Sequence, residues 1–310
     1  MSRNDRWFAN LAVAKFPGRR YNAQAPVIFM HIPKTAGVAL TECLDKALTP
    51  KYPVRGFDRV LFGDFQAFDT FAPSERNRIY VNPSDVPANG DFVSAHMAFS
   101  TLLLRYGSAN YLTVLREPVS RILSNWIFWR ATPDEYLTQV GGWAEYIRQA
   151  QKPINEFLCR EDLACHIDNL TVRMLLWPHP LIPNKGFIKS KYDKILQKEA
   201  IDQLKQFAFA DIIENPRIQE NLQTWLGRSL TCSRANETVA VPAPFRGSLH
   251  DELTAEAIAL LETRSRLDLS LWLSITKERV SGIDPNELRR VILLRNVARC
   301  ASLLAGGPNP

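Results

Sequence analysis

Residues 27 to 37 read Val27-Ile28-Phe29-Met30-His31-Ile32-Pro33-Lys34-Thr35-Ala36-Gly37, and this stretch decides the predicted fold. Four consecutive apolar residues after Pro26 predict a buried strand, and the apolar spacing from Ala36 to Leu48 predicts a helix directly behind it. The loop between them places backbone N–H groups at the positive end of a helix dipole, and Lys34 and Thr35 add an ammonium and a hydroxyl. The loop therefore predicts a site for a phosphate-like anion.

The loop differs from the glycine-rich loops that bind nucleoside triphosphates with magnesium. The residues before Lys34 are bulky, and the G-x-x-x-x-G-K-[ST] pattern is absent. A kinase that acts on a small hydroxyl compound is therefore a minor alternative, which magnesium-dependent nucleoside triphosphate binding would reveal.

Two further strands end in polar residues. Phe92 to Met97 predicts a short strand with His96 at its carboxyl end, and Asn110 to Leu115 predicts a strand that ends in Arg116. Ligands of open parallel sheets bind at the carboxyl ends of strands, so both side chains are well placed for chemistry. From these residues alone, a structural role for the histidine and an ion pair for the arginine remain open alternatives.

A helix from Glu117-Pro118 to about Arg130 follows the second of these strands, and it carries Ser124 two turns from its start. An arginine offers a planar fork of donors to phosphate oxygens, and a serine hydroxyl can complete the contact. Arg116 and Ser124 therefore predict a second phosphate site.

Taken together, these segments resemble the carbohydrate sulfotransferases that use 3′-phosphoadenosine 5′-phosphosulfate, a family with heparan sulfate 2-O-sulfotransferase-like and bacterial members. H-I-P-K-T-A-G, from His31 to Gly37, is similar to the family's 5′-phosphosulfate loop. L-R-E-P-V-S-R-I-L-S, from Leu115 to Ser124, is similar to its 3′-phosphate motif. Residues 94 to 99 lie where the family has a G-H-x-x-F motif, with Ala95 in place of the glycine.

The resemblance implies transfer of a sulfuryl group from 3′-phosphoadenosine 5′-phosphosulfate to an acceptor hydroxyl of a carbohydrate, glycolipid or other glycoconjugate, without a metal. It implies that His96 is the general base, that Lys34 stabilises the leaving phosphate, and that Arg116 and Ser124 hold the 3′-phosphate. The implied donor-binding set is Pro33, Lys34, Thr35, Ala36, Gly37, Val38, Ala39, Arg116, Ser124, Arg173 and Arg246.

The last two residues of that set come from weaker matches. Arg173 lies in a predicted helix from His166 to Leu175 that resembles an N-x-x-T-R segment, and a structural ion pair is an equal alternative for it. Arg246 lies in a polar loop, residues 234–250, where related sulfotransferases have a basic loop over the 3′-phosphate. A third match, Asp268-Leu269-Ser270-Leu271-Trp272, resembles the D-L-x-L-[YW] signature near the end of the family's sequences.

One departure from the family pattern follows the loop glycine. The family commonly has hydroxyl residues there, whereas this chain has Val38 and Ala39, so backbone amides must bind the phosphosulfate alone. The alternative is a non-catalytic relative that binds the nucleotide as a binding module.

The 310 residues are enough for one large α/β domain or two small ones, and 46% hydrophobic with 23% charged residues is an ordinary globular composition. The resemblance implies a P-loop-like three-layer fold, with a central parallel sheet flanked by helices. One domain is expected over residues 27–305, between an N-terminal arm, residues 1–26, and a frayed tail, residues 306–310. The net charge of +6 favours anionic ligands, but its dispersal argues against a nucleic-acid partner. Oligomeric state is not indicated.

The remaining segments give weaker expectations. Residues 49–90 predict irregular connections that line an acceptor cleft, and residues 133–165 predict a helical surface behind a capping box at Thr132 to Glu135. Helices are predicted for residues 251–266, 267–279 and 286–304. Beyond these, we predict no internal repeat.

Five scattered cysteines predict reduced thiols in a cytoplasmic protein rather than a disulfide framework. Cys159, Cys165 and His166 do not complete a zinc site. No signal peptide or transmembrane span is predicted, although Trp7 and Phe8 among scattered arginines leave a peripheral membrane contact open.

Overall fold

The computed structural model describes residues 19–59, 68–232 and 238–309, together with the backbone of residues 12–13. Most of the predicted N-terminal arm, including Trp7 and Phe8, lies outside these residues. Within them, no helix is both long and apolar enough to cross a membrane.

Eight strands are described, six of them in one sheet. Their bounds are β1 Ala12–Val13, β2 Val27–Met30, β3 Pro53–Asp58, β4 Ile79–Tyr80, β5 Phe92–His96, β6 Asn110–Leu115, β7 Phe209–Ile212 and β8 Val280–Ser281. The order in the large sheet is β4-β3-β5-β2-β6-β7, and every neighbouring pair is parallel. The short strands β1 and β8 form a separate antiparallel pair.

Among the described residues, eight longer helices connect or follow these strands, and single helices make the crossovers from β2 to β3 and from β5 to β6. They are α1 Gly37–Leu48, α2 Phe99–Tyr106, α3 Pro118–Arg130, α4 Leu170–Leu176, α5 Asp193–Leu204, α6 Ile218–Leu226, α7 Ala255–Arg279 and α8 Pro285–Leu304. Shorter α-helical segments span Pro73–Arg76, Asp134–Leu137, Ala144–Arg148, Ile154–Leu158, Ala164–Ile167 and Leu249–Glu252. Short 3₁₀ turns span Phe68–Thr70, Pro83–Asp85, Thr138–Trp143, Gln149–Gln151, Glu161–Leu163, Ser190–Tyr192 and Ala243–Phe245.

The central strand β2 shows why the fold has three layers. Its side chains alternate between two apolar clusters, because successive residues of a strand point to opposite faces of the sheet. Val27 and Phe29 pack with helices α1 and α6, whereas Ile28 and Met30 pack with the larger cluster on the other face. Both faces are therefore covered by helices, and the predicted three-layer α/β fold with a central parallel sheet is confirmed.

The parallel arrangement brings the ends of β2, β5, β6 and β7 to one edge of the sheet. The backbone N–H of His31, just after β2, donates to the carbonyl of Ala95 near the end of β5 at 3.0 Å. Arg116 follows β6 directly, so the predicted site segments meet at this carboxyl edge.

The expectation of irregular chain over residues 49–90 is partly wrong, because this region contributes two strands to the sheet. Strand β3 pairs with β5, and β4 pairs with β3. In β3 the buried positions are Val54, Gly56 and Asp58, and only the first is a typical strand residue. Asp58 accepts a hydrogen bond from the Thr101 hydroxyl at 2.6 Å, which satisfies its buried carboxylate.

Other boundaries also differ from the expectation. No side chain caps the short helix after Pro133, because the Thr132 hydroxyl donates back to the Phe128 carbonyl. Residues 255–279 form one helix rather than two, since nothing at Arg266 interrupts the backbone hydrogen bonds. The tail is tied down as far as Asn309, whose side chain accepts from Arg299 Nε at 2.6 Å.

The segment 166–175 is also not one helix. A break at Asp168 and Asn169 separates it into two, because the backbone of Asn169 adopts a left-handed conformation, with φ of 48°. The amide oxygen of Asn169 accepts from the backbone N–H of Leu267 at 2.8 Å, which joins this break to helix α7.

The prediction that all thiols are reduced is wrong, because Cys43 and Cys232 form a disulfide. They lie 189 positions apart in sequence, and the fold brings their Cα atoms to 4.9 Å. Cys43 on α1 and the segment after α6 belong to the same apolar cluster, so packing creates a proximity that cysteine spacing does not reveal. Structural disulfides are typical of oxidising compartments, and this one therefore lends no support to a cytoplasmic location.

Candidate functional site

The loop between β2 and α1 has a backbone shaped for an anion. Lys34 and Ala36 both have positive φ values, 68° and 57°, on either side of Thr35. Alternating right- and left-handed residues turn successive N–H groups into one concavity, which favours a negatively charged group. The first amides of α1, from Gly37 to Ala39, also have no acceptor within the helix.

Gly37 and His31 are matched by a close approach. A Cβ atom at Gly37 would lie 1.9 Å from His31 Nε2, so only glycine fits beneath the imidazole. The ring of His31 stacks on Phe29, with centroids 5.3 Å apart. The histidine and glycine of H-I-P-K-T-A-G are therefore coupled by packing, which fixes the curvature of the loop between them.

A cavity of about 570 Å³ opens in front of this loop. Its lining includes most of the predicted site: Pro33, Lys34, Ala36, Gly37, Val38, His96, Arg116 and Ser124. The remaining walls come from His31, Phe57, Arg78, Asn125, Phe128, Trp129, Thr132, Tyr136, Trp143, Ile147, His166, Ile213, Thr238 and Arg299. Among the described residues, no Asp or Glu lines this cavity.

Three cations, Lys34, Arg116 and Arg299, line the cavity close enough to interact electrostatically. Burial, followed by the charges of Arg116 and Arg299, lowers the pKa of Lys34 to about 7. Burial likewise lowers the pKa of Arg116, although Glu214 opposes this shift. Because like charges repel in the ligand-free protein, an anion bound between these side chains would relieve that repulsion.

Arg116 is held in place by groups that leave its charge directed at the site. Its Nη1 donates to the Lys34 carbonyl at 3.0 Å, and its Nη2 donates to Asn296 Oδ1 at 2.7 Å. The Lys34 ammonium lies over the Phe128 ring, 3.8 Å from the centroid. Neither arrangement neutralises the cation with a carboxylate, so both remain available to an anion.

Helix α3 carries the next residues of the lining. Its start is fixed by Glu117, whose side chain accepts from the Ser120 N–H at 2.6 Å. The helix is buried along almost its entire length, and Ser124 and Asn125 both line the cavity. Arg116 and Ser124 are therefore brought to the same cavity, as their spacing predicts.

His96 lies at the end of β5 with a defined tautomer. Its Nδ1 contacts the His31 carbonyl oxygen, which can only accept, so the neutral ring carries its proton on Nδ1 and a lone pair on Nε2. The pKa of His96 is lowered to about 4, chiefly by burial; the bond to the His31 carbonyl opposes this shift, and the charge of Arg78 adds to it. The ring is therefore neutral at pH 7, as a general base must be before it accepts a proton.

Four predicted donor-binding residues do not line the cavity through their side chains. Thr35 is fully buried, and its hydroxyl donates to the Ile32 carbonyl at 2.8 Å, so it shapes the loop. Ala39 follows Val38 in helix α1 and is not among the residues that line the cavity. Arg173 pairs with the buried Asp168 at 2.8 Å, and Arg246 donates to the Val241 carbonyl. For Arg173 the structure shows the ion pair that its sequence context left as the alternative.

Several lining residues have no local sequence signal. Asn296 and Arg299 lie on α8, nearly two hundred positions after Arg116, and ordinary amphipathic helices carry polar residues at the same spacing. Residues 133–165, expected to be a surface without chemistry, contribute Tyr136, Trp143 and Ile147. The helical part of that expectation is confirmed by short α- and 3₁₀-helices, whereas the surface part is wrong, because side chains such as Trp143 and Ile147 are buried.

A second cavity of about 400 Å³ adjoins the first. The two share Arg116, Ile213 and Arg299, and the second adds Ser120, Glu214, Pro216, Ile292, Arg295 and Asn296. Burial raises the pKa of Glu214 to about 7, while its carboxylate accepts from the Glu117 N–H at 2.8 Å. Arg116 thus stands between two spaces, of which the first holds the loop and His96.

No family model matches this chain, and no curated protein matches it significantly.

Proposed function

We propose that the protein is a sulfotransferase that moves a sulfuryl group from 3′-phosphoadenosine 5′-phosphosulfate to an acceptor hydroxyl. The observation that carries this proposal is the convergence of Lys34, Arg116 and Arg299 on one cavity that also holds a neutral histidine. The three cations suit a sulfuryl donor with two separate phosphate groups, and the neutral histidine, His96, suits removal of a proton from the acceptor. The similarity of the two loop motifs to this enzyme family supports the same proposal.

In this mechanism His96 acts on the acceptor. Its Nε2 accepts the hydroxyl proton as the acceptor oxygen attacks sulfur, while the His31 carbonyl holds the Nδ1 proton and then stabilises the imidazolium that forms. The bond between sulfur and the bridging phosphate oxygen breaks in the same step. A proton is thus transferred to His96, and the sulfuryl group to the acceptor.

Lys34 and the loop act on the leaving group. Negative charge grows on the phosphate oxygen that sulfur leaves, and the ammonium of Lys34, with the amides of Thr35 to Gly37, lies at the place where the phosphosulfate binds in this proposal. The pKa of Lys34 is only about 7 in the ligand-free protein, and a bound anion would raise this pKa and so favour the charged ammonium. The proposed mechanism uses no metal.

Arg116 and Ser124 bind the 3′-phosphate in the same proposal. Lys34 and Asn296 orient the guanidinium of Arg116. The contact that would bind the 3′-phosphate is therefore joined to the loop that would bind the 5′-phosphosulfate. A carbohydrate, glycolipid or other glycoconjugate as acceptor follows from the resemblance alone.

The experiment is titration calorimetry of adenosine 3′,5′-bisphosphate, the product nucleotide, into the wild type and into Lys34→Ala and Arg116→Ala. We expect micromolar binding by the wild type and a loss of at least about tenfold in each variant. Lys198→Ala and Arg217→Ala are matched controls, because both residues lie in exposed ion pairs. Failure of the wild type to bind the bisphosphate would overturn the proposal.

A non-catalytic nucleotide-binding relative is the second candidate, and two observations favour it. Val38 and Ala39 provide no hydroxyl at the start of α1, and a base whose pKa is about 4 is weak. Bisphosphate binding without turnover of any acceptor would favour this candidate.

A further inference from the structure

Five aromatic side chains and one isoleucine form an apolar part of the lining of the main cavity. We define the acceptor wall as Phe57, Phe128, Trp129, Tyr136, Trp143 and Ile147. The side chains of the wall are mostly apolar, and two cations lie beside it: Lys34, over the Phe128 ring, and Arg78, which also pairs with Glu75 at 3.4 Å and is half exposed.

Each proposed catalytic group touches one member of this wall. The ring of His96 lies 5.1 Å from the ring of Phe57, centroid to centroid. The Lys34 ammonium lies 3.8 Å from the centroid of Phe128. A hydroxyl placed between the base and the ammonium therefore belongs to a molecule whose body meets Phe57 and Phe128.

The deeper part of the wall is preformed. Trp129 and Trp143 meet edge to face with centroids 6.1 Å apart, and each lies 5.0 Å from His166. Both tryptophans are only 8% exposed, so packing already fixes their orientation. A preformed apolar cavity binds apolar, ring-sized molecules without the cost of ordering its walls.

A carbohydrate would meet different chemistry. Each sugar hydroxyl that leaves water needs a hydrogen-bond partner, and an unpartnered hydroxyl against an apolar surface weakens binding. Among the described residues, the acceptor wall has the Tyr136 hydroxyl and the two indole N–H groups as its polar atoms. The other neutral polar residues in this part of the lining are Asn125, Thr132, His166 and Thr238, and no carboxylate of the described residues lines the cavity. The wall therefore favours a molecule with few hydroxyls.

We propose that the acceptor is a small, largely apolar phenol or alcohol whose ring or alkyl body packs on the acceptor wall, rather than a carbohydrate. This inference rests on the proposed sulfuryl transfer, because it takes His96 and Lys34 as the groups that face the reacting hydroxyl. The oxygen of that hydroxyl forms the new bond to sulfur, its proton passes to His96, and the bisphosphate leaves.

The test compares 2-naphthol with methyl β-glucoside, in binding and in turnover, with saturating bisphosphate in the binding experiment. We expect naphthol to bind at least about tenfold more tightly, as apolar contact on this scale provides, and to be sulfated with the higher kcat/KM. Tighter binding of the glucoside, or binding of neither compound, would overturn the inference.

Variants locate the effect in the wall. Trp143→Ala should raise the KM for naphthol about tenfold while bisphosphate affinity stays unchanged. Tyr136→Ala, at a 39% exposed residue, tests the same wall with less risk to folding, and Tyr52→Ala is a control at an exposed aromatic outside both cavities. Equal naphthol KM values in wild type and both wall variants would place the acceptor elsewhere. If the wild type does not bind the bisphosphate at all, the proposed function itself is overturned.

Discussion

Arg116 Nη1 donates a hydrogen bond of 3.0 Å to the carbonyl oxygen of Lys34, which joins the two predicted phosphate motifs directly. The bond uses a backbone acceptor, so it orients the guanidinium without cancelling its charge. Asn296 holds the other terminal nitrogen at 2.7 Å. The two motifs therefore form one unit, and a change in one should be felt at the other.

This unit predicts that charge alone is insufficient at Arg116. Arg116→Lys keeps a cation but loses the planar fork that reaches both Lys34 and Asn296, so bisphosphate affinity should fall about 10- to 100-fold. Titration calorimetry measures the change, and Arg217→Lys, in an exposed ion pair, is the matched control. Unchanged affinity in Arg116→Lys would show that the fork is not used.

The contact between Gly37 and His31 predicts a defect of loop shape. Gly37→Ala should destabilise the protein by about 1–3 kcal/mol, because its Cβ would overlap the imidazole of His31. Denaturant unfolding measures this loss. Gly247→Ala is the control, since a Cβ there meets nothing within 4 Å. The combined variant Gly37→Ala, His31→Ala should recover stability relative to Gly37→Ala, and further loss would contradict the steric explanation.

The lowered pKa of Lys34 predicts pH-dependent anion binding. In the ligand-free protein the ammonium is charged below about pH 7 and loses its proton above it. Bisphosphate affinity should therefore fall as the pH rises beyond 7, by up to about tenfold per pH unit. Calorimetry across this range measures the slope. In Lys34→Arg the side chain stays charged, so bisphosphate affinity should depend less steeply on pH. Protonation of the bisphosphate itself affects both proteins equally. Equal slopes would exclude Lys34 as the titrating group.

The same pKa predicts the opposite trend for stability without ligand. Between about pH 7 and the ordinary lysine value of 10.5, the unfolded chain binds a proton at Lys34 that the folded protein has released. The contribution of Lys34 to the free energy of unfolding should therefore increase with pH across this window. Comparison of denaturant unfolding of the wild type with Lys34→Met isolates the contribution, and a decrease with pH would contradict the lowered pKa.

His96 should be needed for turnover and dispensable for nucleotide binding. His96→Ala should lower kcat by at least about 100-fold, a typical contribution of a general base, and change bisphosphate affinity little. The pKa of about 4 means that protonation of His96 should reduce kcat/KM only as the pH falls towards 4. Steady-state kinetics measures both effects. The exposed His250 provides the control variant, His250→Ala. Near-normal turnover by His96→Ala would remove it from the base role.

Arg173 should act on stability rather than on the nucleotide. Its guanidinium pairs at 2.8 Å with Asp168, which is fully buried, so Arg173→Ala leaves the carboxylate with only Arg266, at 3.8 Å, as a cationic partner. We expect a loss of about 3–5 kcal/mol in the free energy of unfolding. Arg217→Ala, in an exposed ion pair, should change the free energy of unfolding little. Weakened bisphosphate binding with unchanged stability would instead favour an anion contact.

The sequence by itself determined the strand from Val27 to Met30, its loop and the helix behind it, because apolar runs, proline and helical spacing act over a few residues. It also indicated His96, Arg116 and Ser124 as site residues, since each lies at a strand end or on a helix that follows one, and all three line the cavity. The strand at Pro53 was missed because its buried positions include Gly56 and Asp58, which carry no strand signal.

Only the tertiary structure decided which distant residues complete the site. Asn296 reaches Arg116 from the last helix, Cys43 meets Cys232 across 189 positions, and Trp143 turns inward from a segment expected at the surface. Such contacts depend on how helices pack on the two faces of the sheet, and packing joins residues whose local sequence gives no sign of their partners. Local chemistry thus determined the loop and the strand ends, whereas long-range packing decided the acceptor wall and the setting of Arg116.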